Sequence, residues 1–387
     1  MGDRVGIIGG GQLAWMVGLA AQHLNIDLFV QTPNPTDSAV SVATETYYGA
    51  IADATVTEQL AQHCDVITFE NEFVDLQKLT VLERQGIVFY PKLSSLEPLL
   101  DKYHQRQFFR THHIPTPDFY ALEGDSPLET APPSMLIFPI VLKSRRLGYD
   151  GQGTHILTSK NSLQTVLDQS RHAPVDWLLE EFVPFEKELA MMAARSVDGD
   201  VVMYPVVETQ QEQQVCRRVF ILPGLPTSVI EQAEAIARTV LEQLDVVGIF
   251  GFEFFLTPSG KILVNELAPR THNSGHYTID TCSVSQFEQQ LRAVCRRPLI
   301  SPRLLSNGAV MVNLLGFESS QRQYIAARQS IAALPRTHVH WYGKAESRPG
   351  RKLGHVTTLL EGDDPHQLRL DAQAIANQIE ALWYPHQ

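Results

Sequence analysis

The chain has 387 residues, a formal net charge of −12 and an apolar fraction of 44%. This length predicts two or three domains, and the apolar fraction is typical of a globular protein. The negative charge argues against a nucleic-acid surface, and the longest apolar run, MLIFPIVL, is too short to cross a bilayer.

The ends of the chain and its cysteines predict a cytoplasmic location without membrane attachment. The N-terminus runs directly into a predicted strand and carries no signal-peptide pattern. The four cysteines (Cys64, Cys216, Cys282 and Cys295) are scattered and have no CxxC spacing. We therefore expect reduced thiols and no structural zinc.

The first region, residues 1–98, predicts a small parallel sheet of the Rossmann-like type. Apolar runs RVGII, DLFVQ and DVITF read as strands, an apolar-periodic helix follows the first of them, and a helix LQKLTVLERQ and a short strand IVFY close the unit. Strands that alternate with helices in this way are typical of an α/β fold.

The rest of the chain predicts two further domains. Residues 99–296 show a polar helix from Asp101 to His113, a strand MLIFPIVLK and a series of hairpins, which indicates a mostly antiparallel α+β domain. Residues 297–387 begin at a proline-rich linker and contain three short strands and a C-terminal helix. We expect a small β-rich domain there.

The first motif in chain order is the turn GGGQLA after the first strand. Its glycine spacing fits a dinucleotide-binding turn, but the second strand ends in Val30-Gln31-Thr32 and lacks the acidic residue that would bind a ribose. The turn can instead direct backbone N–H groups at another phosphate or anion, or it can be a tight turn without a ligand.

A second candidate site lies around Lys143. The lysine ends an apolar strand and is followed by a loop containing Gly148, Gly151 and Gly153, a combination that suits phosphate oxygens. Further along, the strand end from Glu180 to Val183 can offer backbone groups to an adenine edge, and Glu188 can hold ribose hydroxyls. Each of these segments can equally be an ordinary loop or a solvated strand end.

The hairpin GFEFFLTPSGKILVNEL places two carboxylates opposite each other. If the turn has the two-residue loop Ser259-Gly260, then Glu253 pairs with Glu266 across the strands. Like charges in that position are destabilising unless a divalent cation sits between them, and Mg²⁺ accepts carboxylate and phosphate oxygens together. The alternative is two exposed acids that splay apart.

Two polar segments complete the candidates. The stretch from Asn265 to Thr278, NELAPRTHNSGHYT, combines a carboxylate, a guanidinium, two imidazoles and two amides within fourteen residues. That variety suits a site that holds a metal, an anion and a reacting group. The basic stretch YGKAESRPGRKLGH reads as a solvated turn by itself, or as a phosphate clamp beside a nucleotide site.

Taken together, these motifs resemble the ATP-grasp family, and within it the N5-carboxyaminoimidazole ribonucleotide synthetases. GIIGGGQL, DVITFE, LGYDGQG, GFEFF, NELAPRTHNSGHYT, SQFEQQLRAV and RPGRKLGH are similar to that family's blocks and occur in its order. The resemblance implies an ATP-grasp fold between a Rossmann-like pre-ATP-grasp domain (1–98) and a small β-rich domain (297–387). It also implies ATP- and bicarbonate-dependent carboxylation of 5-aminoimidazole ribonucleotide, with Mg²⁺ or Mn²⁺, in a homodimer.

The resemblance also assigns roles to particular residues. Binding of ATP falls to Lys102, Lys143, Gly148, Tyr149, Asp150, Gly151, Gln152, Gly153, Thr154, Glu180, Glu181, Phe182, Val183, Glu188, Asn265 and Glu266. The metal falls to Glu253 and Glu266. The ribonucleotide falls to Gln12, Leu13, Glu70, Glu72, Tyr149, Asp150, Lys344, Arg351 and Lys352. The activated carbonate, and so the catalysis, falls to Arg270, His272 and Asn273, while His276 stays open between ligand contact and packing.

Several positions depart from the family pattern. Glu70-Asn71-Glu72-Phe73 stands where Glu-Phe-Glu-Asn is usual, Lys102 where arginine is frequent, and Gln211 near a usual histidine. Three other functions stay open at this stage: another ATP-grasp ligase such as a formate-dependent glycinamide ribonucleotide transformylase, a non-catalytic nucleotide-binding protein, and an NAD-dependent protein.

Overall fold

A computed structural model describes residues 3–122, 131–146, 148, 153–170 and 175–384, and its first region is a parallel α/β unit. Four parallel strands lie in the order β3-β2-β1-β4. The elements are β1 (Arg4–Ile8), α1 (Gln12–Leu24), β2 (Asp27–Thr32), β3 (Glu45–Tyr48), α2 (Ala54–Ala61), β4 (Val66–Phe69), α3 (Leu76–Arg84) and α4 (Leu93–Leu96). The predicted parallel sheet is confirmed.

Two details of this region differ from the sequence prediction. Strand β3 and helix α2 were not predicted, because ETYY lies among polar residues and α2 is short. The predicted strand IVFY forms only an isolated parallel bridge between Ile67 and Phe89. The edge strands of the sheet are therefore β3 and β4.

The middle region contains a second, four-stranded antiparallel sheet in the order β5-β8-β6-β7. Its elements are α5 (Lys102–Thr111), β5 (Phe119–Leu122), β6 (Ile140–Ser144), β7 (Thr154–Leu157), α6 (Lys160–Ser170) and β8 (Trp177–Glu181). Asp101 begins α5 as its N-cap by accepting a hydrogen bond from the Tyr103 N–H. The predicted strand MLIFPIVLK is shorter than expected, because Pro133–Leu136 forms a 3-10 helix.

The third sheet is the largest, and it crosses the predicted boundary at residue 296. Its order is β14-β13-β9-β11-β12-β15-β17-β16, with β10 on β9. Its strands are β9 (Lys187–Arg195), β10 (Val201–Met203), β11 (Val207–Glu212), β12 (Val215–Ile221), β13 (Gly248–Leu256), β14 (Ile262–Ala268), β15 (Gly308–Leu315), β16 (Thr337–Trp341) and β17 (Lys352–Leu360). The pairing of β12 with β15 joins the two regions into one sheet.

Helices cover this sheet and connect it to the first region. They are α7 (Thr227–Gln243), α8 (Thr278–Thr281), α9 (Gln286–Val294), α10 (Ile325–Ala332) and α11 (Pro365–Trp383). Buried Gln290 of α9 accepts a hydrogen bond from the Ile249 N–H and donates one to the Thr68 hydroxyl, each at 2.7 Å. No helix in the described ranges is long and apolar enough to span a bilayer.

Candidate active site

The predicted pairing of Glu253 with Glu266 is confirmed, although the turn differs from the expected one. The Thr257 N–H donates to the Lys261 carbonyl, so the loop has three residues rather than two. A β-bulge between Glu253 and Phe254 then shifts the register by one, which brings Glu253 opposite Glu266. The bulge leaves Asn265 as the extra residue of β14.

The bulge also changes which side chains face the core. One apolar cluster contains Ile262, Val264 and Leu267. Core-facing side chains of β14 are therefore two residues apart before the bulge, but three residues apart across it, from Val264 to Leu267. Asn265 and Glu266 consequently both lie outside that cluster, where their polar groups meet charged side chains. One inserted residue therefore brings two adjacent polar groups into the site.

The two facing carboxylates have opposite pKa shifts. Burial raises the pKa of Glu253 to about 8, and the charges of Glu266 and Glu188 add to the rise. Burial acts against ionisation of Glu266 as well, but Lys102, Lys143 and His272 outweigh it and lower the pKa of Glu266 to about 2. Glu253 therefore holds a proton at neutral pH while Glu266 is ionised.

Glu188 on β9 adds a third carboxyl group next to this pair. Glu188 and Glu253 lie on the neighbouring strands β9 and β13, and burial raises the pKa of Glu188 to about 7. Three carboxyl groups gathered in this way suit a hard divalent cation, since it would replace the proton on Glu253. Glu253 and Glu266 are thus the residues that fit a metal.

Lys143 belongs to a buried ion-pair network. Its Nζ lies 2.7 Å from Glu180 Oε2 and donates to Asn265 Oδ1 at 3.0 Å. On the other side, Arg106 Nε lies 2.6 Å from Glu180 Oε1, and its guanidinium donates to the Asn265 carbonyl at 2.6 Å. Burial opposes the charge on Glu180, but Arg106 and Lys143 lower its pKa to about 2.

Arg106 is a site residue that the sequence analysis missed. It lies in the polar helix α5, where a charged side chain normally faces solvent, yet its side chain is only 3% exposed. The sequence feature that could have indicated Arg106 is its position four residues after Lys102, because this spacing places both side chains on one face of the helix. Lys102 Nζ in turn lies 2.9 Å from Glu266 Oε1, so this face of α5 meets three of the predicted site residues: Glu180, Asn265 and Glu266.

Arg270 and His272 follow β14 and face the same carboxylates. Arg270 Nε lies 2.9 Å from Glu72 Oε1, which orients the guanidinium, and its pKa is raised because Glu72 outweighs the effect of burial. His272 Nε2 lies 3.9 Å from Glu253 Oε1, and its Nδ1 contacts the Ser274 hydroxyl at 2.8 Å. The ring is thereby held with Nε2 towards the carboxylates.

Asn273 and His276 are more deeply packed than Arg270 and His272. The side-chain amides of Asn273 and Asn313 bond each other reciprocally at 2.8 and 2.9 Å. His276 is fully buried against Phe287, Tyr342 and His355, which favours packing among the two roles left open for it. Asn273 still reaches the wall of the cavity described below.

The turn GGGQLA receives an anion from the protein itself. Glu70 accepts hydrogen bonds from the N–H groups of Gly11, Leu13 and Ala14, at 2.6, 3.1 and 3.4 Å. A Cβ at Gly11 would lie 2.4 Å from Glu70 Oε1, so glycine is required by this approach. Among the readings left open for this turn, a phosphate at these N–H groups is disfavoured, because the Glu70 carboxyl group fills the N-terminus of α1. The same occupancy removes the basis for NAD binding.

A cavity of about 490 Å³ brings many of the predicted residues together. Groups from all three regions of the chain form its wall. The predicted site residues among its lining are Gln12, Leu13, Glu70, Glu72, Lys102, Gly148, Glu253, Glu266, Arg270, His272, Asn273 and Lys352.

Other predicted residues lie elsewhere. Lys143, Glu180 and Asn265 form the buried network next to the cavity, and Val183 is buried. The Glu181 carboxylate accepts from the Asp118 N–H at 3.0 Å, and Phe182 is largely exposed. Thr154 begins β7 opposite Lys143, and Gly153 directly precedes it. Four predicted residues lie outside the described residues: Tyr149, Asp150, Gly151 and Gln152.

The basic segment divides into two parts. Lys352 is buried and lines the cavity. Lys344 lies over the Tyr342 ring, and Arg351 donates to the Glu346 carbonyl at 2.9 Å; neither is in the cavity lining. Burial and the charge of Arg348 lower the pKa of Arg351, while the charges of Glu346 and Asp37 oppose that shift.

The fold and this site define an ATP-grasp ligase. The ATP-grasp domain family matches residues 107–287, the ribonucleotide synthetase preATP-grasp domain family matches 2–98, and the phosphoribosylaminoimidazole carboxylase C-terminal domain family matches 309–369. These three matches follow one another along the chain as the three regions do.

The chain belongs to the N5-carboxyaminoimidazole ribonucleotide synthase family. It is 51% identical to the Synechococcus elongatus enzyme of that name over 98% of this chain and 95% of the relative. It is 49% identical to the Synechocystis sp. enzyme over 98% of both chains. The phosphoribosylaminoimidazole carboxylase of Vigna aconitifolia is 37% identical, and this chain spans 63% of its length.

Solved structures show the same similarity. An ADP complex of N5-carboxyaminoimidazole ribonucleotide synthetase has a TM-score of 0.88 and 31% identity, covering 99% of this chain and 98% of the other. An Aspergillus clavatus synthase in complex with ADP and 5-aminoimidazole ribonucleotide has a TM-score of 0.88 and 28% identity, covering 98% and 99%.

Proposed function

We propose that this chain catalyses the ATP- and bicarbonate-dependent carboxylation of the exocyclic amine of 5-aminoimidazole ribonucleotide, giving N5-carboxyaminoimidazole ribonucleotide, ADP and phosphate. The observation that carries the proposal is that Glu253 and Glu266 line the same cavity as Arg270 and His272. Two carboxylates for a metal, a guanidinium for an anion and an imidazole for a proton are the groups that this reaction needs.

The reaction has two chemical stages. A bicarbonate oxygen attacks the γ-phosphorus of ATP, the bond to the bridging oxygen breaks, and carboxyphosphate and ADP result. Carboxyphosphate then releases phosphate and CO₂; the amine nitrogen bonds to the carbon of CO₂ and loses one proton. Positioning and charge neutralisation account for most of the rate enhancement in such phosphoryl transfers.

Three sets of residues prepare the phosphoryl transfer. Lys143, fixed between Glu180 and Asn265, supplies a positive charge for ATP phosphate oxygens. Glu253 and Glu266 would hold Mg²⁺, with Mn²⁺ as an alternative, and the ion would neutralise charge on the transferring phosphoryl group. Lys102, at 2.9 Å from Glu266, keeps that carboxylate ionised.

Arg270 and His272 serve the carbonate stage. The planar guanidinium of Arg270 suits a planar oxyanion, and Glu72 at 2.9 Å fixes its orientation. His272 is the group we assign as proton acceptor, since an imidazole accepts protons near neutral pH and its Nδ1 is already engaged by Ser274. Asn273, held by Asn313, shapes the wall beside them.

The remaining assignments accompany this proposal. We place the ribonucleotide against Gln12, Leu13 and Glu72, with its phosphate towards Lys352 and the neighbouring Lys344 and Arg351. We assign residues 1–98, 99–296 and 297–387 to three domains, and the spans of the three family matches support this division. A cytoplasmic homodimer completes the proposal, and light scattering of the purified protein tests the dimer.

An ADP-release assay with purified protein tests the reaction. In buffer freed of dissolved CO₂, 5-aminoimidazole ribonucleotide and ATP should give little ADP. Added bicarbonate should restore turnover, and if the bicarbonate carries a carbon label, that label should appear in the product. Formate should not replace bicarbonate. A protein that needs formate would be a different ATP-grasp ligase, and one that binds ATP without any substrate-dependent turnover would be a non-catalytic binding protein.

A further inference from the structure

A second group of metal-ligating side chains lies apart from the carboxylate pair, where β16 and β17 meet α8. One ligand atom from each of Asp280, His340 and His355 lies within 4.8 Å of the other two. His340 and His355 are cross-strand partners, and their rings stack at 4.5 Å with an interplanar angle of 15°. Asp280 lies in α8, the short helix that follows residues 273–276 of the candidate active site.

The present contacts leave this group open to an ion. His340 Nε2 lies 2.9 and 3.1 Å from the two Asp280 oxygens. His355 is fully buried, and its Nδ1 contacts the Tyr342 hydroxyl at 2.9 Å. Within the described chain, His355 Nε2 has no hydrogen-bond partner although it is buried. A buried imidazole nitrogen without a partner is unfavourable, and a metal ion would satisfy it.

The orientation of His355 also suits a metal ligand. The Tyr342 hydroxyl engages Nδ1, which leaves Nε2 as the nitrogen that can meet an ion, and a second group commonly orients a metal-bound histidine in this way. The Asp280 carboxylate supplies negative charge.

We propose that Asp280, His340 and His355 bind one first-row divalent ion of the Zn²⁺ type. Donor atoms in a tetrahedral zinc site lie about 3.3 Å apart. Asp280 and His340 would separate by a few tenths of an ångström, and the His355 donor, which lies within 4.8 Å of both, would move closer as one imidazole turns out of the ring stack. His338, whose Nδ1 lies 3.7 Å from Asp280 Oδ1, or a water completes the coordination. The half-exposed His338 and the partly exposed His340 give the ion a route from solvent.

The ion would have a structural role. It would tie β16 and β17 to α8, and so to the loop that carries Arg270 and His272. The expectation of no structural zinc rested on cysteine spacing alone, and it did not consider histidines that come from separate strands. A site of this kind stabilises the folded chain by the free energy of binding, since the unfolded chain does not assemble it.

Cobalt titration of the full chain tests the proposal. Protein stripped with a chelator and held in excess Mg²⁺ is titrated with Co²⁺, whose visible absorption reports tetrahedral coordination, and Zn²⁺ is then added as competitor. We expect one Co²⁺ per chain, displacement by Zn²⁺, and a higher melting temperature with Zn²⁺. His340→Gln should weaken Co²⁺ binding at least about tenfold, because it removes one of three protein ligands.

Two controls separate this site from others. His366→Gln removes an exposed histidine of α11 and should leave the Co²⁺ signal unchanged. Glu266→Gln alters the carboxylate pair and should also leave it unchanged. The melting temperature of metal-free His340→Gln shows whether that variant folds. Three outcomes would overturn the proposal. They are equal Co²⁺ binding by wild type and folded His340→Gln, loss of the Co²⁺ signal in Glu266→Gln, and no Co²⁺ binding by the wild type.

Discussion

At the scale of single residues, the proton on Glu253 controls how the site responds to pH. Its pKa of about 8 lies above the ordinary value of 4.5 because the group is buried beside Glu266. In the metal-free protein this shift favours folding at low pH, and that contribution is lost as pH rises from about 4.5 through 8. A divalent ion that binds the ionised form reverses the preference.

We therefore predict that metal affinity increases with pH. Below about pH 8 each bound ion must displace a proton from Glu253, so the apparent Mn²⁺ affinity should rise by up to about tenfold per pH unit and level off above pH 8. Calorimetric titration of Mn²⁺ in two buffers of different ionisation enthalpy measures both the affinity and the released proton. Glu253→Gln should abolish the proton release, and an affinity that is flat from about pH 6 to 8 would contradict the assigned pKa.

Arg270 provides a second prediction at this scale. Arg270→Ala should lower kcat by about 100- to 1,000-fold, as is usual when a donor to a developing oxyanion is removed, while ATP affinity changes little. The reason is that Arg270 contacts Glu72 and the cavity, whereas the Lys143 network is separate from it. Steady-state kinetics and ATP titration measure the two quantities.

The matched variant for this prediction is Arg270→Lys, which keeps the charge and removes the planar fork. It should recover only part of the lost rate. If Arg270→Ala weakens ATP binding as much as it slows turnover, the residue serves the nucleotide and not the carbonate.

At the scale of elements, helix α5 is attached to the site by Arg106. This side chain and Glu180 are 3% and 2% exposed, and they form an ion pair at 2.6 Å. Arg106→Ala would leave the Glu180 charge with Lys143 alone. We predict a loss of about 3–5 kcal/mol in the free energy of unfolding, as for other broken buried pairs, together with a raised KM for ATP.

Denaturant unfolding and ATP kinetics measure these effects. Arg110→Ala, an exposed position of the same helix, is the control and should change stability by less than about 1 kcal/mol. An Arg106→Ala variant with unchanged stability and KM would show that Lys143 is positioned by other groups.

The sequence predicted the elements of this site better than their details. The Glu253–Glu266 pairing was predicted from a two-residue turn. The true turn has three residues and shifts the register by one, and the bulge shifts it back by one, so the predicted pair is still formed. The bulge breaks the apolar alternation of β14 between Val264 and Leu267, but so short a break does not by itself distinguish an inserted residue from the end of a strand. Arg106 was missed because a buried ion pair depends on a partner 74 residues away. The bonds from α1 to Glu70 could not be predicted either, because they too depend on tertiary structure, and the assignment of Glu70 to the ribonucleotide stays a prediction.

At the scale of the whole molecule, the large sheet joins the middle and C-terminal regions. Strands β12 and β15 pair directly, and Glu380 of α11 forms ion pairs with Arg217 and Arg218 of β12. Residues after the predicted boundary at 296 are thus part of the same hydrogen-bonded sheet as the hairpin of the site. Sequence composition indicated a linker there but could not show that the sheet continues across it.

This continuity predicts cooperative unfolding of the two regions. Amides of β15 and β17 should exchange with the same free energy and denaturant dependence as amides of β9 and β13, because opening either end exposes the shared sheet. Native-state hydrogen exchange read by mass spectrometry measures this. Exchange of β15 and β17 at clearly lower denaturant than β9 would show that the C-terminal region unfolds independently.

The bulge at Asn265 has a consequence for protein engineering. The tip of this hairpin is exposed and consists of Pro258, Ser259 and Gly260. The pairing of Glu253 with Glu266 lies beyond the bulge, at the other end of the hairpin from this tip. A peptide tag or reporter inserted at this tip lengthens the loop without sliding one strand along the other. Deleting Asn265 would instead turn Glu266 towards the apolar core. The same hairpin therefore contains a permissive insertion point and, a few residues away, a position where the length of the chain cannot change.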